Sequence, residues 1–483
     1  MPEIDLEGIV RQERRLEQAI VAASEDLTWE ALQQRHLPEE LVDVVVDRPN
    51  GEQVRLMHLQ ALVQSQRVRA ELIGPLTTGS GATAMILPDA STVLTADEAE
   101  HQLLDGAVLL WSNAGVRSVK LPGFPGRTVN EPTTERSVFG PKDAFVEDLN
   151  DNIGLIRRHL RDSRLRVERM TLGTRAPTAV ALCYLNDVAD ATLVDEAAAR
   201  LKSFRTERIG FVSSLLRPLF GAIWNGFLPA EFSERPYRTA DFLARGRIAI
   251  MADGSPFAML TPVPFLEVFI EEEEYMQATT TRYFVRALRV LAFFTALMVP
   301  GLYVALLTIN PTIMPGLLAI TISASRGALP YPVFTEILLL LLVFDIMAES
   351  TVSMKGLMGP TISIVGALIA GQAAIRANLA SNLGVIVASG TLLATFMTSR
   401  YILTYSVRVW KYLVLALSTL FGIVGWATAL IWVMANLTHQ RQFGVFYLAP
   451  LAPLRPAGLS STSHYRRDSP ASPPQVRRTG REP

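Results

Sequence analysis

The sequence predicts an α+β fold class: two cytoplasmic α+β domains followed by an α-helical transmembrane domain of four or five spans. Three observations carry that reading. Charge is partitioned, so that the region before Leu288 is rich in ionisable residues and Leu288–Ala435 is nearly bare. Val290–Ser325, Gly356–Ile375, Ala377–Ser399 and Tyr412–Gln440 hold no Asp, Glu, Lys or Arg, and a helix needs about 20 apolar residues to cross a bilayer's hydrocarbon core. Upstream, strand-like alternation and helical periodicity succeed one another between turn signals, the pattern of small mixed domains.

Composition narrows the function classes. The 483 residues carry 45 Lys+Arg against 46 Asp+Glu, a balance that points to no nucleic-acid partner. One cysteine, Cys183, excludes an internal disulfide, and six scattered His argue against a Cys/His metal site. The first 30 residues lack the apolar core of a cleaved signal. No phosphate-cradling glycine loop with Lys and Ser/Thr appears, no GxSxG elbow, and no His lies near Cys183 in sequence, so neither an enzyme nor a cofactor is expected. Asp148, Asn150 and Asn152 begin like a calcium loop. Gly154 then falls at the seventh place and His159 at the twelfth, where Glu is required, so no metal is expected.

Taken in order, residues 1–35 form an N-terminal arm, with Leu6, Ile9, Leu16, Ile20 and Val21 at helical spacing. A first α+β domain spans 36–124. Leu41–Val46 reads as a strand, His58–Val68 as a helix, Thr83–Leu87 as a strand and Ala96–Leu104 as a helix. Ala107–Ser112 and Val116–Leu121 pair through Asn113-Ala114-Gly115. Proline and glycine at 122–126 open a linker, 125–135. The second α+β domain, 136–275, begins with a helix from Pro141. Asp143 sits near its positive end, Phe145, Leu149, Ile153, Ile156 and Leu160 line one face, and Arg157, Arg158 and Arg161 close it. Leu165–Thr171 and Thr178–Tyr184 are strands, Thr192–Phe204 is a helix, and Arg247–Met251 with Pro256–Leu260 makes a hairpin around Asp253-Gly254. Glu271–Glu274 reads as a solvated helix start.

The transmembrane domain covers 283–436. Leu288–Ile309 is the first span, and Arg282, Arg286 and Arg289 before it place the preceding domains on the cytoplasmic side. Asn310-Pro311 and Met314-Pro315-Gly316 interrupt the chain, making Leu317–Ala324 a half-helix or re-entrant piece. Phe334–Ala348 follows with Glu336 and Asp345, which either line a polar pathway or sit at the interfaces of a short helix. Thr361–Ile375 is rich in small residues. Ser363, Val365, Gly366, Ala370, Gly371 and Gln372 suit a pore wall, or equally a closely packed helix. Leu383–Met397 and Leu413–Val433 complete the set, with Arg400, Arg408 and Lys411 forming a basic cytoplasmic loop between them. No inverted repeat divides this region, which disfavours a transporter. From Arg455 the Ser-, Pro- and Arg-rich tail, 455–483, is expected to be disordered.

Several ordered stretches carry a resemblance. They are Glu135-Arg136-Ser137-Val138-Phe139-Gly140-Pro141-Lys142-Asp143-Ala144-Phe145, Asn152-Ile153-Gly154-Leu155-Ile156-Arg157-Arg158, Asp253-Gly254-Ser255-Pro256-Phe257, Pro300–Leu306, Ser363–Ala374 and Phe443–Pro450. From about residue 135 to Pro453 the chain resembles the GerA-type spore germination proteins, the A subunits of nutrient germinant receptors. The resemblance implies a protein of the spore inner membrane, with its large N-terminal region on the core side. It implies a transporter-like B subunit and a lipoprotein C subunit as partners, and a homo-oligomeric ring forming an ion channel that nutrient opens. Because the match is densest there, Arg136, Gly140, Pro141, Asn152, Arg157 and Arg158 are the assembly candidates, the alternative being a plain capped amphipathic helix. The chain departs from the family pattern at Leu341, where Glu is expected, at Ala348, where Arg is expected, and over Ser353–Leu357. Those departures leave open an accessory sporulation-stage paralogue assisting dipicolinic acid release, or a non-conducting scaffold.

Overall fold

In the computed structural model, the structure describes residues 38, 40–49, 51–77, 90–93, 95–112, 115–121, 132, 140–223, 226–271, 274, 277–327, 329–353, 358–397, 401–449 and 451–452. The N-terminal arm, the Thr83–Leu87 strand, nearly all of the linker, Arg136, Arg400 and the tail lie outside these residues. Two compact units emerge. One holds the described residues up to Gly221 together with Ala230–Pro262; the other holds Ala222–Pro229 and those from Val263 onward.

The first unit contains two five-stranded antiparallel sheets. Strands β1 (Leu41–Asp47), β2 (Gln53–Leu59), β3 (Ala90–Val93), β4 (Ala107–Ser112) and β5 (Gly115–Lys120) pair in the order β1-β2-β4-β5-β3. Strands β6 (Leu165–Leu172), β7 (Thr178–Leu185), β8 (Glu231–Ser233), β9 (Ile248–Ala252) and β10 (Ala258–Thr261) pair as β6-β7-β9-β10-β8. The two orders are the same: first, second, fourth, fifth, third. Helical connections also fall at matching places, after the second and after the third strand. The first sheet has a helical run over Ser65–Arg67, Val68–Ile73 and Gly74–Thr77, then α1 (Ala96–Leu104). The second has α3 (Ala191–Ser203), then α4 (Pro236–Ala244).

Between the sheets in sequence lies α2 (Leu149–His159). Asp148 caps it, its carboxylate accepting from the amides of Asn150 and Asp151 at 2.7 and 3.2 Å, which satisfies two of the amides a helix start leaves unpaired. The expected start at Pro141 is therefore corrected by eight residues. Residues 141–146 run without regular structure instead, tied to the second domain by the Phe145 amide donating to the Glu234 carbonyl at 2.7 Å. Ala96–Leu104 and both hairpins follow the sequence reading. His58–Val68 does not: His58 and Leu59 end β2, and the helical run begins at Ser65. Strand β2 is bonded to both β1 and β4, and pairing on both edges outweighs local propensity. β8, α4 and the helical turns Val212–Leu215 and Leu216–Phe220 had no prior sequence signal.

The second unit is helical. Its members are α5 (Thr279–Thr308), α6 (Gly316–Arg326), α7 (Val333–Ser353), α8 (Met358–Arg376), α9 (Asn382–Phe396) and α10 (Tyr401–His439). Among the described residues two helices, Thr279–Thr308 and the Leu403–His439 part of α10, are long and apolar enough to cross a membrane. α10 is broken at Gly422, whose φ of 60° is open to glycine at little cost. There the Ile423 amide donates to Asn310 Oδ1 at 2.9 Å, so the interrupted ladder is satisfied by a side chain from the turn after α5. Around the start of α5, Phe265 meets Phe269, Phe293 and Tyr447 edge-on at centroid distances of 5.2–5.8 Å.

Two expectations about charge are corrected here. Glu274, expected to be solvated, is fully buried, and Arg286 and Arg289 both bind its carboxylate. Arg408 and Lys411, expected in a loop, lie within α10 and face acids of α7. In each case the counter-charge lies 12 to 66 residues away in sequence, information that local sequence cannot hold.

Candidate functional site

Within the apolar unit two acids of α7 are held inside by basic partners. Glu336, on the first turn of α7, is buried. One carboxylate oxygen accepts from the Ser381 amide and hydroxyl, both at 2.6 Å, while Arg326 at the end of α6 binds the other. Ser381 in turn caps α9, its hydroxyl accepting from the Gly384 amide at 3.0 Å. A single carboxylate thus ties three helix termini together. Two turns further along α7, Asp345 accepts from Lys411 Nζ at 2.7 Å and from the Tyr412 hydroxyl at 2.6 Å. Lys411 is 2% exposed, and Arg408 stands 3.9 Å from the same carboxylate while binding Glu349. Both acids named from the sequence are therefore charge-compensated inside the bundle, each with a basic partner on another helix.

The small-residue helix α8 shows two faces. Ala367 and Gly371 are buried and Gly366 and Ala370 are half-buried, whereas Val365, Ile369 and Gln372 are exposed. A Cβ at Gly371 would stand 2.9 Å from Val385 Cγ1 of α9, and one at Gly366 would collide with the Met347 methyl of α7. The glycines let α8 approach its neighbours within the chain, the use small residues have in tightly packed helices. The side chain of Ser363 lies outside the described residues.

The assembly candidates occupy the first unit. Gly140 has φ +143°. The Pro141 carbonyl accepts from Arg235 Nη2 at 3.0 Å. Asn152, 1% exposed, clasps residue 146 by accepting from its amide at 2.8 Å and donating to its carbonyl at 2.6 Å. Arg157, also 1% exposed, donates from Nε to Glu40 Oε2 at 2.8 Å, joining α2 to the entry of the first sheet. Beside it Gly154 leaves no room for a side chain, since a Cβ would meet the Ala61 carbonyl oxygen. Arg158 is exposed. The density of this motif thus has a use within the chain: it seats α2 between two sheets. Glu40 was missed from the sequence because its partner lies 117 positions away.

Among the described residues no three His, Cys, Asp or Glu side chains gather in a metal-binding group. Cys183 is buried in β7, and burial pushes its thiol up to about 12, an environment that suppresses the reactive thiolate.

A polar unit built on two sheets, followed by a bundle of apolar helices, defines a two-part protein. The chain belongs to the Bacillus/Clostridium GerA spore germination protein family, whose model matches residues 18–469. It is 32% identical to Spore germination protein KA of Bacillus subtilis over 75% of this chain and 67% of that protein. It is 28% identical to the membrane protein YfkQ of the same organism, over 73% of this chain and 69% of that one. The crystal structure of the N-terminal domain of the A subunit of the Bacillus megaterium spore germinant receptor GerK3 aligns with 51% of this chain and 93% of its own length, at 23% identity and a TM-score of 0.36.

Proposed function

We propose that this chain is a non-enzymatic membrane subunit of a spore nutrient germinant receptor. It oligomerises into a ligand-gated cation channel whose opening triggers germination. In this reading it resides in the spore inner membrane with its sheet-built unit on the core side, and acts with a transporter-like B subunit and a lipoprotein C subunit. The observation that carries the proposal is the apolar surface of the second unit: Leu339, Leu342, Val343 and Ile346 of α7 and Leu420, Phe421, Val424 and Ile431 of α10 are exposed, while Glu336 and Lys411 are buried and paired. Such a surface is costly in water and at ease in lipid, where ionisable groups must find partners inside the protein. The conducting surface is the exposed face of α8, with Val365 and Gln372 facing a shared axis.

A second reading, a non-conducting scaffold or accessory sporulation-stage protein assisting dipicolinic acid release, is favoured by one observation. Gly366 and Gly371 are already used for packing within the chain. Two measurements separate the readings. Purified protein in liposomes should pass potassium if it is a channel and should leave the vesicles tight if it is a scaffold. Spores lacking the protein should lose cation release toward one class of nutrient; a uniform slowing toward every nutrient would instead favour the accessory role.

A further inference from the structure

The sheet-built unit has one surface region that its own packing does not explain. Between α3 and β8 the chain makes the helical turns Val212–Leu215 and Leu216–Phe220. Ile209, Val212, Leu215 and Leu219 are buried and fix these turns to the unit, yet Phe211 points outward and is 64% exposed. Its position is held from both sides. The Ser214 amide and hydroxyl donate to the Phe211 carbonyl at 3.0 and 2.7 Å, and the amides of Thr174, Arg175 and Ala176 donate to the carbonyls of Thr206 and Glu207 at 2.9–3.0 Å. An exposed phenylalanine on such a braced turn is a presented group.

The charges around it have one sign. Residues 202–217 carry Lys202, Arg205, Arg208 and Arg217 against a single carboxylate, Glu207. All four cations are exposed. Glu207 is engaged by Arg175 at 3.5 Å, and Lys202 stands 3.9 Å from Glu168. Arg205, Arg208 and Arg217 have no carboxylate partner among the described residues. In sequence the patch runs directly into residues 222–229, which fold with the apolar unit.

From this we propose that the Lys202–Arg217 segment is a membrane-surface anchor, docking on anionic phospholipid with Phe211 inserted among the headgroups and Arg205, Arg208 and Arg217 bound to lipid phosphates. Cations draw the segment to a negatively charged leaflet, and phenylalanine is among the side chains that surface-bound segments bury at the headgroup boundary. A protein partner fits less well, since an acidic protein surface would need a pocket for the ring, whereas a bilayer accepts it anywhere along its surface. The inference rests on the membrane reading above.

The test uses the full chain in lipid nanodiscs. Phe211→Cys is labelled with a nitroxide; the native Cys183 is buried, and Cys183→Ala in the same background removes it as a second target. Collision with a water-soluble nickel chelate is compared in discs with and without phosphatidylglycerol. A label at Val424→Cys reports lipid embedding, and one at Asp47→Cys reports full water exposure. The expectation is that nickel access at position 211 falls at least threefold below that at 47 in anionic discs. It should recover in pure phosphatidylcholine and in the triple variant Arg205→Glu, Arg208→Glu, Arg217→Glu. If position 424 is shielded while 211 matches 47, the anchor is wrong and the membrane reading stands. If 424 is as open as 47, the membrane reading itself fails. Shielding at 211 that is indifferent to lipid charge and to the triple variant would mark a protein contact and overturn the lipid assignment.

Discussion

Among the described residues the sheet-built unit exposes three large apolar side chains, Val45, Phe211 and Tyr237, while the helical unit exposes twenty-six. Both units nevertheless bury ion pairs: Glu40 with Arg157 in the first, Glu336 with Arg326 and Asp345 with Lys411 in the second. In the first unit such pairs are exceptions inside a core of Leu, Val, Ile and Met that the hydrophobic effect assembles. In the second they lie among buried Phe, Leu, Val and Ala, and further apolar side chains cover the outside as well. On the proposed membrane reading, the difference teaches that the two units are folded against different solvents. Apolar burial holds the first together; in the second, close helix packing and internal pairing of polar groups carry more of the specificity.

The largest expected effects come from breaking the pairs on one side only. Lys411→Met leaves Asp345 with the Tyr412 hydroxyl and the more distant Arg408 at 3.9 Å, and Arg157→Met leaves Glu40 with Arg169 at 3.8 Å. Each removes the nearer cation and is expected to cost about 3 kcal/mol, the lower end of the penalty for breaking a buried pair. Hydrogen exchange read on α7–α10 peptides for the first, and on β1 and α2 peptides for the second, should locate the loss in the mutated unit. Pairing each change with Asp345→Leu or Glu40→Leu should restore most of it; a double variant as unstable as the single would show that the pair does more than compensate charge.

The comparison can be broken directly by the same substitution at two exposed valines. Val424→Lys on α10 should cost about 2.5–3.5 kcal/mol in a bilayer, where a charge at mid-helix is opposed. Val45→Lys on edge strand β1 should stay within about 0.5 kcal/mol, as surface changes do. Thermal melts in lipid discs would show it, and equal shifts at the two sites would remove the contrast between the units. A smaller effect belongs to the joint between the sheets. Gly154→Ala forces a Cβ against the Ala61 carbonyl, a backbone atom that yields little, and about 1–3 kcal/mol of destabilisation is expected. Increased exchange in both sheets would confirm that α2 couples them.

The smallest effect is a pH dependence confined to the first unit. His58 in β2 is 3% exposed, and neither ring nitrogen has a hydrogen-bond partner. Burial therefore holds its pKa below the ordinary 6.5. A neutral ring in the fold and a more basic one in the unfolded chain give stability that is complete above about pH 6.5 and lost as pH falls toward the folded-state value. His58→Phe should flatten that slope in acid titrations of unfolding; an unchanged slope would place the proton on another group.

Much of the organisation was legible because it depends on neighbours in sequence. Uncharged runs marked α5 and α10, alternation with turn residues marked both hairpins, and Ala96–Leu104 followed from periodicity and a Thr95 cap whose oxygen accepts from the Glu98 amide. Glu336 and Asp345 could be singled out as acids in an apolar stretch, but their partners could not. Arg326 lies across a proline-containing turn and Lys411 sits 66 residues away.

By itself the sequence determined the division into a polar region and an apolar one, the class of most long elements and the family resemblance, since each is written in composition or in short ordered motifs. Tertiary structure alone decided the rest. It set the common order of the two sheets, because strand order is a matter of long-range pairing and leaves no period in the chain. It moved the start of α2 to Leu149, behind the Asp148 cap, because the segment before it bonds to a carbonyl some 90 residues away. It turned Gly366 and Gly371 toward α7 and α9, because a small residue permits close approach without specifying which surface approaches.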